Sequence, residues 1–139
     1  MGYVNYLAIL VGALASIAIG WLWYSPALFG KQWMRATGMG ELTPEKKAEG
    51  MKKMPKALVG SIIAQLVLAY VMSYFAQMMG VATSYGAIEL AIWAWLGFAA
   101  VALVHPVLWE GKSWSYFAIV SGYSLVSFVV VALIVTLWV

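Results

Sequence analysis

The chain has 139 residues, of which 65% are hydrophobic and 9% charged, against the roughly 25% charged residues of a soluble domain. A mean hydropathy of +0.92 places it in a membrane. With no cysteine, no Asp and one His, it lacks the material for a disulfide, a thiolate metal site or a thiol redox centre, and no cofactor or metal is expected. The pI of about 9.2 comes without a nucleic-acid-binding motif, so the positive charge speaks for orientation in a bilayer and not for nucleic acid.

Four apolar segments, at 4–24, 57–79, 84–105 and 115–138, each reach the roughly 20 residues that cross hydrocarbon as a helix. They predict a single transmembrane domain over 1–139 with a loop at 25–56. Ala13-Leu14-Ala15 resembles a signal cleavage site, but no basic stretch precedes it and the segment stays apolar beyond it, so span one is read as retained. Its small residues Ala8, Gly12, Ser16 and Gly20 recur every four positions, a ridge that lets another helix approach closely.

Span one stops at Ser25-Pro26. Ser is a capping residue and Pro suits a first helical position, which predicts a new short helix there. Phe29 and Trp33 fall on one side of it and Lys31, Gln32 and Arg35 on the other, the pattern of an amphipathic helix lying in the membrane interface. Lys31, Arg35 and Trp33 are its expected contacts with anionic lipid headgroups. Thr43-Pro44 repeats the cap signal and opens EKKAEGMKKM, read as a short solvated helix or frayed loop.

Span two carries Ser61, Gln65, Ala69, Ser73 and Gln77 every four residues, a ridge expected to turn toward other helices or a wet space. Span three follows a turn at 80–83 and holds Glu89, the one acid inside a membrane segment, beside IWAWLGF. It is expected to close at His105-Pro106, where Pro disfavours regular helix. Span four carries Ser121, Gly122, Ser124 and Ser127.

Seven of the eight Lys and Arg residues lie between spans one and two, and the eighth, Lys112, between spans three and four. The positive-inside rule then puts 25–56 and 106–114 in the cytoplasm and both termini outside. Pro26, Leu28, Gly30, Lys31 and Trp33 align with Pro106, Leu108, Gly111, Lys112 and Trp114, allowing one inserted residue. Both copies follow an inward-running span, which predicts two parallel helix-hairpin repeats. The expected fold is therefore all-α, with four transmembrane helices as two such pseudo-repeats plus a short interfacial amphipathic helix.

The stretch WYSPALFGKQW at 23–33, with Asn5 upstream and LWEGKSW and SGYSLV downstream, resembles the small four-span prokaryotic proteins classed as domain of unknown function seventeen-sixty-one. The resemblance covers nearly the whole chain. It implies four helices and a prokaryotic inner membrane, and brings no established activity and no catalytic residue.

Among single residues Glu89 is the sharpest candidate, since a carboxylate in hydrocarbon is costly and intramembrane acids mark proton or cation pathways. Gln77, Ser73, Trp93 and Asn5 lie at depths that allow a polar pocket with it. The plainer account is that Glu89 snorkels to the interface or serves as glue between helices. His105 and Gln65 are secondary candidates. His105 lies about 24 Å along the helix from Glu89, so the two cannot touch. The leading expectation is a small-molecule or ion transporter that uses Glu89 and works as a homo-oligomer. The alternative is a lipid-associated interaction protein without transport. No catalytic constellation is visible, so an enzyme is not expected.

Overall fold

The computed structural model describes residues 4–38 and 43–138. Residues 39–42 of the expected 25–56 loop lie outside that range. Six α-helices in chain order make up the described fold: α1 Tyr6–Trp23, α2 Gly30–Ala36, α3 Pro44–Met78, α4 Ser84–Ala94, α5 Val101–Trp109 and α6 Trp114–Leu137. A π-helical stretch, Trp95–Ala100, joins α4 to α5, so that Ser84–Trp109 forms one continuous span. Four helices are thus long and apolar enough to cross a membrane.

Each long helix opens on a side-chain cap that satisfies an orphan N–H of its first turn. Asn5, Thr43, Thr83 and Ser113 accept from Ala8, Lys46, Gly86 and Tyr116 respectively, at 3.0–3.2 Å. α3 closes at Gly80, whose φ of +67° turns the chain back while Val81 N–H donates to the Ala76 carbonyl.

α6 is the central helix: α1 and α3 pack on it and on each other, while the Ser84–Trp109 span packs chiefly on α6. Small residues make the seams. Ala8, Gly12 and Ser16 are buried, as the four-residue ridge predicts, and a Cβ placed on Gly12 would stand 3.8 Å from both Ala69 and Val131. Ala69, Ala87, Ala91 and Ala132 are likewise fully enclosed. Backbones approach closely there, which favours association where lipid provides no hydrophobic drive.

Three local expectations are corrected. Ser25 does not cap the helix after Pro26. Its Oγ donates to the Leu22 carbonyl at 2.7 Å, closing α1, and residues 24–29 form a turn before α2 begins at Gly30. The lysine-rich segment is neither a separate helix nor a loop but the first turns of α3, which runs unbroken from Pro44 through Pro55 to Met78. Its Thr43 cap and Pro44 at the first position start it well before the apolar residues begin.

The third span does not end at His105 either. Pro106 lies inside α5, which continues to Trp109 and stops at Gly111, φ +71°. Pro lacks one N–H, and the remaining bonds of a helix enclosed in a span suffice to carry it past that gap. The two copies of the Pro-Leu-Gly-Lys-Trp pattern therefore share residues but take different backbone courses. Pro26 sits in a turn and Pro106 in a helix.

Candidate functional site

Two places in the fold gather the polar side chains. The first is the outer face of α4. Ala87, Leu90, Ala91 and Ala94 turn toward the bundle, and at 100° per residue this sends Glu89 to the opposite side. Tyr85, 77% exposed, and Trp93, 66% exposed, stand one turn before and one turn after it on the same ridge. Glu89 itself is exposed and makes no hydrogen bond or ion pair with any described residue.

The residues expected around Glu89 have other engagements. Ser73 is buried in α3, with Gln77 Nε2 at 3.5 Å from its hydroxyl and Gln77 itself exposed. Asn5 ties two helix ends together: Oδ1 caps α1 and Nδ2 donates to the Trp138 carbonyl at 3.0 Å, beyond α6. Trp93 alone shares the carboxylate's surface. His105 is exposed on α5, and no group of three or more His, Cys, Asp or Glu side chains suited to a metal occurs among the described residues.

The second place lies where α1 ends beside α3 and α6. Ser16 Oγ donates to Gln65 Oε1 at 2.7 Å, and Tyr123 hydroxyl donates to the Ser16 carbonyl at 2.9 Å. Three spans are thus joined through one serine. Gly20 leaves room for the Tyr123 ring, since a Cβ there would stand 3.0 Å from the phenol oxygen. Tyr24 packs edge-on against both Tyr123 and Trp33, with centroids 5.6 and 5.7 Å apart.

Two indoles secure the same region of α6. Trp23 Nε1 donates to the Ile119 carbonyl and Trp95 Nε1 to the Ser121 carbonyl, each at 2.9 Å. Trp95 opens the π-helical stretch, an uncommon geometry that is frequent at functional sites. On α2, Lys31, Gln32 and Arg35 are exposed while Trp33 is half-buried and Gly30 buried, the two-sided pattern read from the sequence.

Of the sequence-level candidates, Gln65 is joined inside the bundle to another span through Ser16, to which Tyr123 is bonded in turn, and the sequence singles out neither of these two. Ser16 is disguised within a ridge of small packing residues. The available signal is physical: a glutamine amide inside a span must find a partner on a neighbouring helix.

Four long apolar helices, capped at their entries and joined by polar contacts inside the spans, define a multi-pass integral membrane protein. The chain belongs to the family of proteins of unknown function DUF1761, whose model matches residues 7–136. The comparisons with curated proteins and with solved structures find no match.

Proposed function

We propose that this protein is a small transporter or permeation protein, not an enzyme, of a prokaryotic inner membrane, acting as a homo-oligomer in which Glu89 carries a proton or small cation where copies meet. The observation behind this reading is the Glu89 carboxylate, without a partner among the described residues, on the side of α4 that faces away from the bundle, between exposed Tyr85 and Trp93. It enters the span about 8 Å from Ser84, at 1.5 Å per residue. An ionised group at a span's centre costs roughly 2.5–3.5 kcal/mol on insertion scales, and less nearer its end. A second copy laid over this ridge relieves that cost and encloses the acid. The basic residues support an orientation with 25–56 and 106–114 in the cytoplasm and both termini outside.

Proteoliposomes loaded with a pH-sensitive dye and given an inward-negative potassium diffusion potential test the reading. Wild-type protein is expected to acidify the lumen faster than empty vesicles do, and Glu89→Gln to return the rate to the empty-vesicle baseline. A wild-type rate no faster than baseline, or one that the substitution leaves unchanged, would sink it.

A lipid-associated role has its own support in α2, whose exposed Lys31 and Arg35 lie opposite half-buried Trp33. Each basic side chain near an anionic surface contributes about 1 kcal/mol. Lys31→Gln/Arg35→Gln protein is therefore expected to retain severalfold less anionic phospholipid through detergent purification. Equal retention, measured by mass spectrometry of the extracted lipid, counts against a headgroup role for α2.

A further inference from the structure

α3 has 35 residues and α1 has 18, lengths of about 52 and 27 Å, so α3 continues well past the end of α1. The α3 face that packs into the bundle at Ala69, Met72 and Ala76 continues through Gln65, Ser61, Leu58 and Met54 at steps of three and four residues. There it loses its cover. A cleft of about 670 Å³ results, walled on the other side by Trp21, Tyr24 and Tyr123. Its volume falls within the roughly 300–1,000 Å³ of small-molecule sites.

Among the described residues no charged side chain lines this cleft. Its polar focus is Gln65. Because Oε1 already accepts from Ser16, the amide Nε2 keeps two hydrogens that no described residue accepts. In a membrane span such donors call for an acceptor. Trp21 and Met54, 69% and 59% exposed, stand at its mouth.

We infer that the cleft between α1 and α3 binds a neutral, mainly apolar, planar molecule bearing a carbonyl oxygen, which accepts from Gln65 Nε2 while its ring packs on Tyr24 and Trp21. Neutrality follows from the uncharged lining, the acceptor from the free amide donors, and planarity from the aromatic wall. This site is independent of Glu89 and stands whether or not the protein transports.

The test uses the full chain in lipid nanodiscs, with protein-free discs as the partition blank. The probes are menadione, a naphthoquinone with two carbonyls, and methylnaphthalene, the same ring system without them. The chain has no cysteine for the quinone to alkylate. Equilibrium dialysis is expected to show menadione bound at least about tenfold more tightly than methylnaphthalene, a preference of the size one good hydrogen bond supplies. Gln65→Leu should erase the preference while leaving the hydrocarbon's affinity in place. Ala57→Trp, at an exposed position on the cleft wall, fills the space without touching the Ser16–Gln65 bond and should weaken both probes about tenfold or more. Wild-type protein that does not discriminate between the probes overturns the inference. So does menadione binding that survives Ala57→Trp, a result that decides the matter even if Gln65→Leu fails to fold.

Discussion

Gly30→Val is expected to lose about 3 kcal/mol or more and to yield little folded protein. A Cβ on Gly30 would stand 2.5 Å from the Tyr24 carbonyl oxygen and 2.8 Å from the Ser25 carbonyl carbon and oxygen. Both neighbours are backbone, and both are held: Gly30 N–H donates to the Ser25 carbonyl at 2.9 Å, and Tyr24 N–H to the Gly20 carbonyl at 3.0 Å. No side chain can swing aside, so the turn between α1 and α2 must open. Opening it also displaces Trp23 and Tyr24, which carry the contacts to Ile119 and Tyr123. Gly60→Ala is the control, on a helix face where an added Cβ meets nothing within 4 Å, and should be neutral or gain up to about 1 kcal/mol. Unfolding curves in mixed micelles measure both, and equal stability of the two variants would refute the account.

Gly20→Val is the second large effect, at about 1–3 kcal/mol. Here the obstacle is a side chain. The new Cβ meets the Tyr123 ring at 3.0–3.2 Å, and that ring cannot move without breaking its hydrogen bond to the Ser16 carbonyl. The cost should therefore depend on Tyr123. In a Tyr123→Ala background Gly20→Val is expected to cost far less, with a coupling energy of 1 kcal/mol or more. Additive losses would show that the two residues do not share this contact. Because Gly20 and Tyr123 also line the α1–α3 cleft, the single variant should bind menadione more weakly as well.

These predictions rest on contacts that differ in how visible they are in one dimension. The Ala8-Gly12-Ser16-Gly20 ridge announces a packing seam, and the seam forms where the ridge predicts, because small side chains are the means by which membrane helices approach. The same ridge conceals Ser16 as the junction of three spans, since nothing local separates a packing serine from a bonding one. The Thr43 cap was legible, but how far its helix runs was not. Lysine-rich EKKAEGMKKM reads as a short solvated helix or frayed loop by composition, yet it continues α3 because the N-terminal cap and the rest of the hydrogen-bond ladder outweigh composition and the one donor that Pro55 lacks. At Pro106 the same competition ended the same way.

Glu89 shows the limit most plainly. Its presence in a span is obvious from the sequence, but the direction it faces depends on which side of α4 meets α6. Ala87, Ala91 and Ala94 decide that by packing on α6, and the carboxylate is left outside the bundle, apart from Asn5, Ser73 and Gln77.

The sequence by itself determined that the protein lies in a membrane, that it has four apolar spans, and that a two-sided basic helix follows the first. Those properties follow from the thickness of hydrocarbon and the energetics of placing charge in it, which act on each segment separately. Only the tertiary structure decided that Ser16, Gln65 and Tyr123 meet, that Glu89 faces away from the bundle, and that α3 overhangs α1 to leave a cleft. Helix rotation, pairing and overhang are set by close packing between residues distant in the chain, and hydropathy, which treats each span alone, carries no record of it.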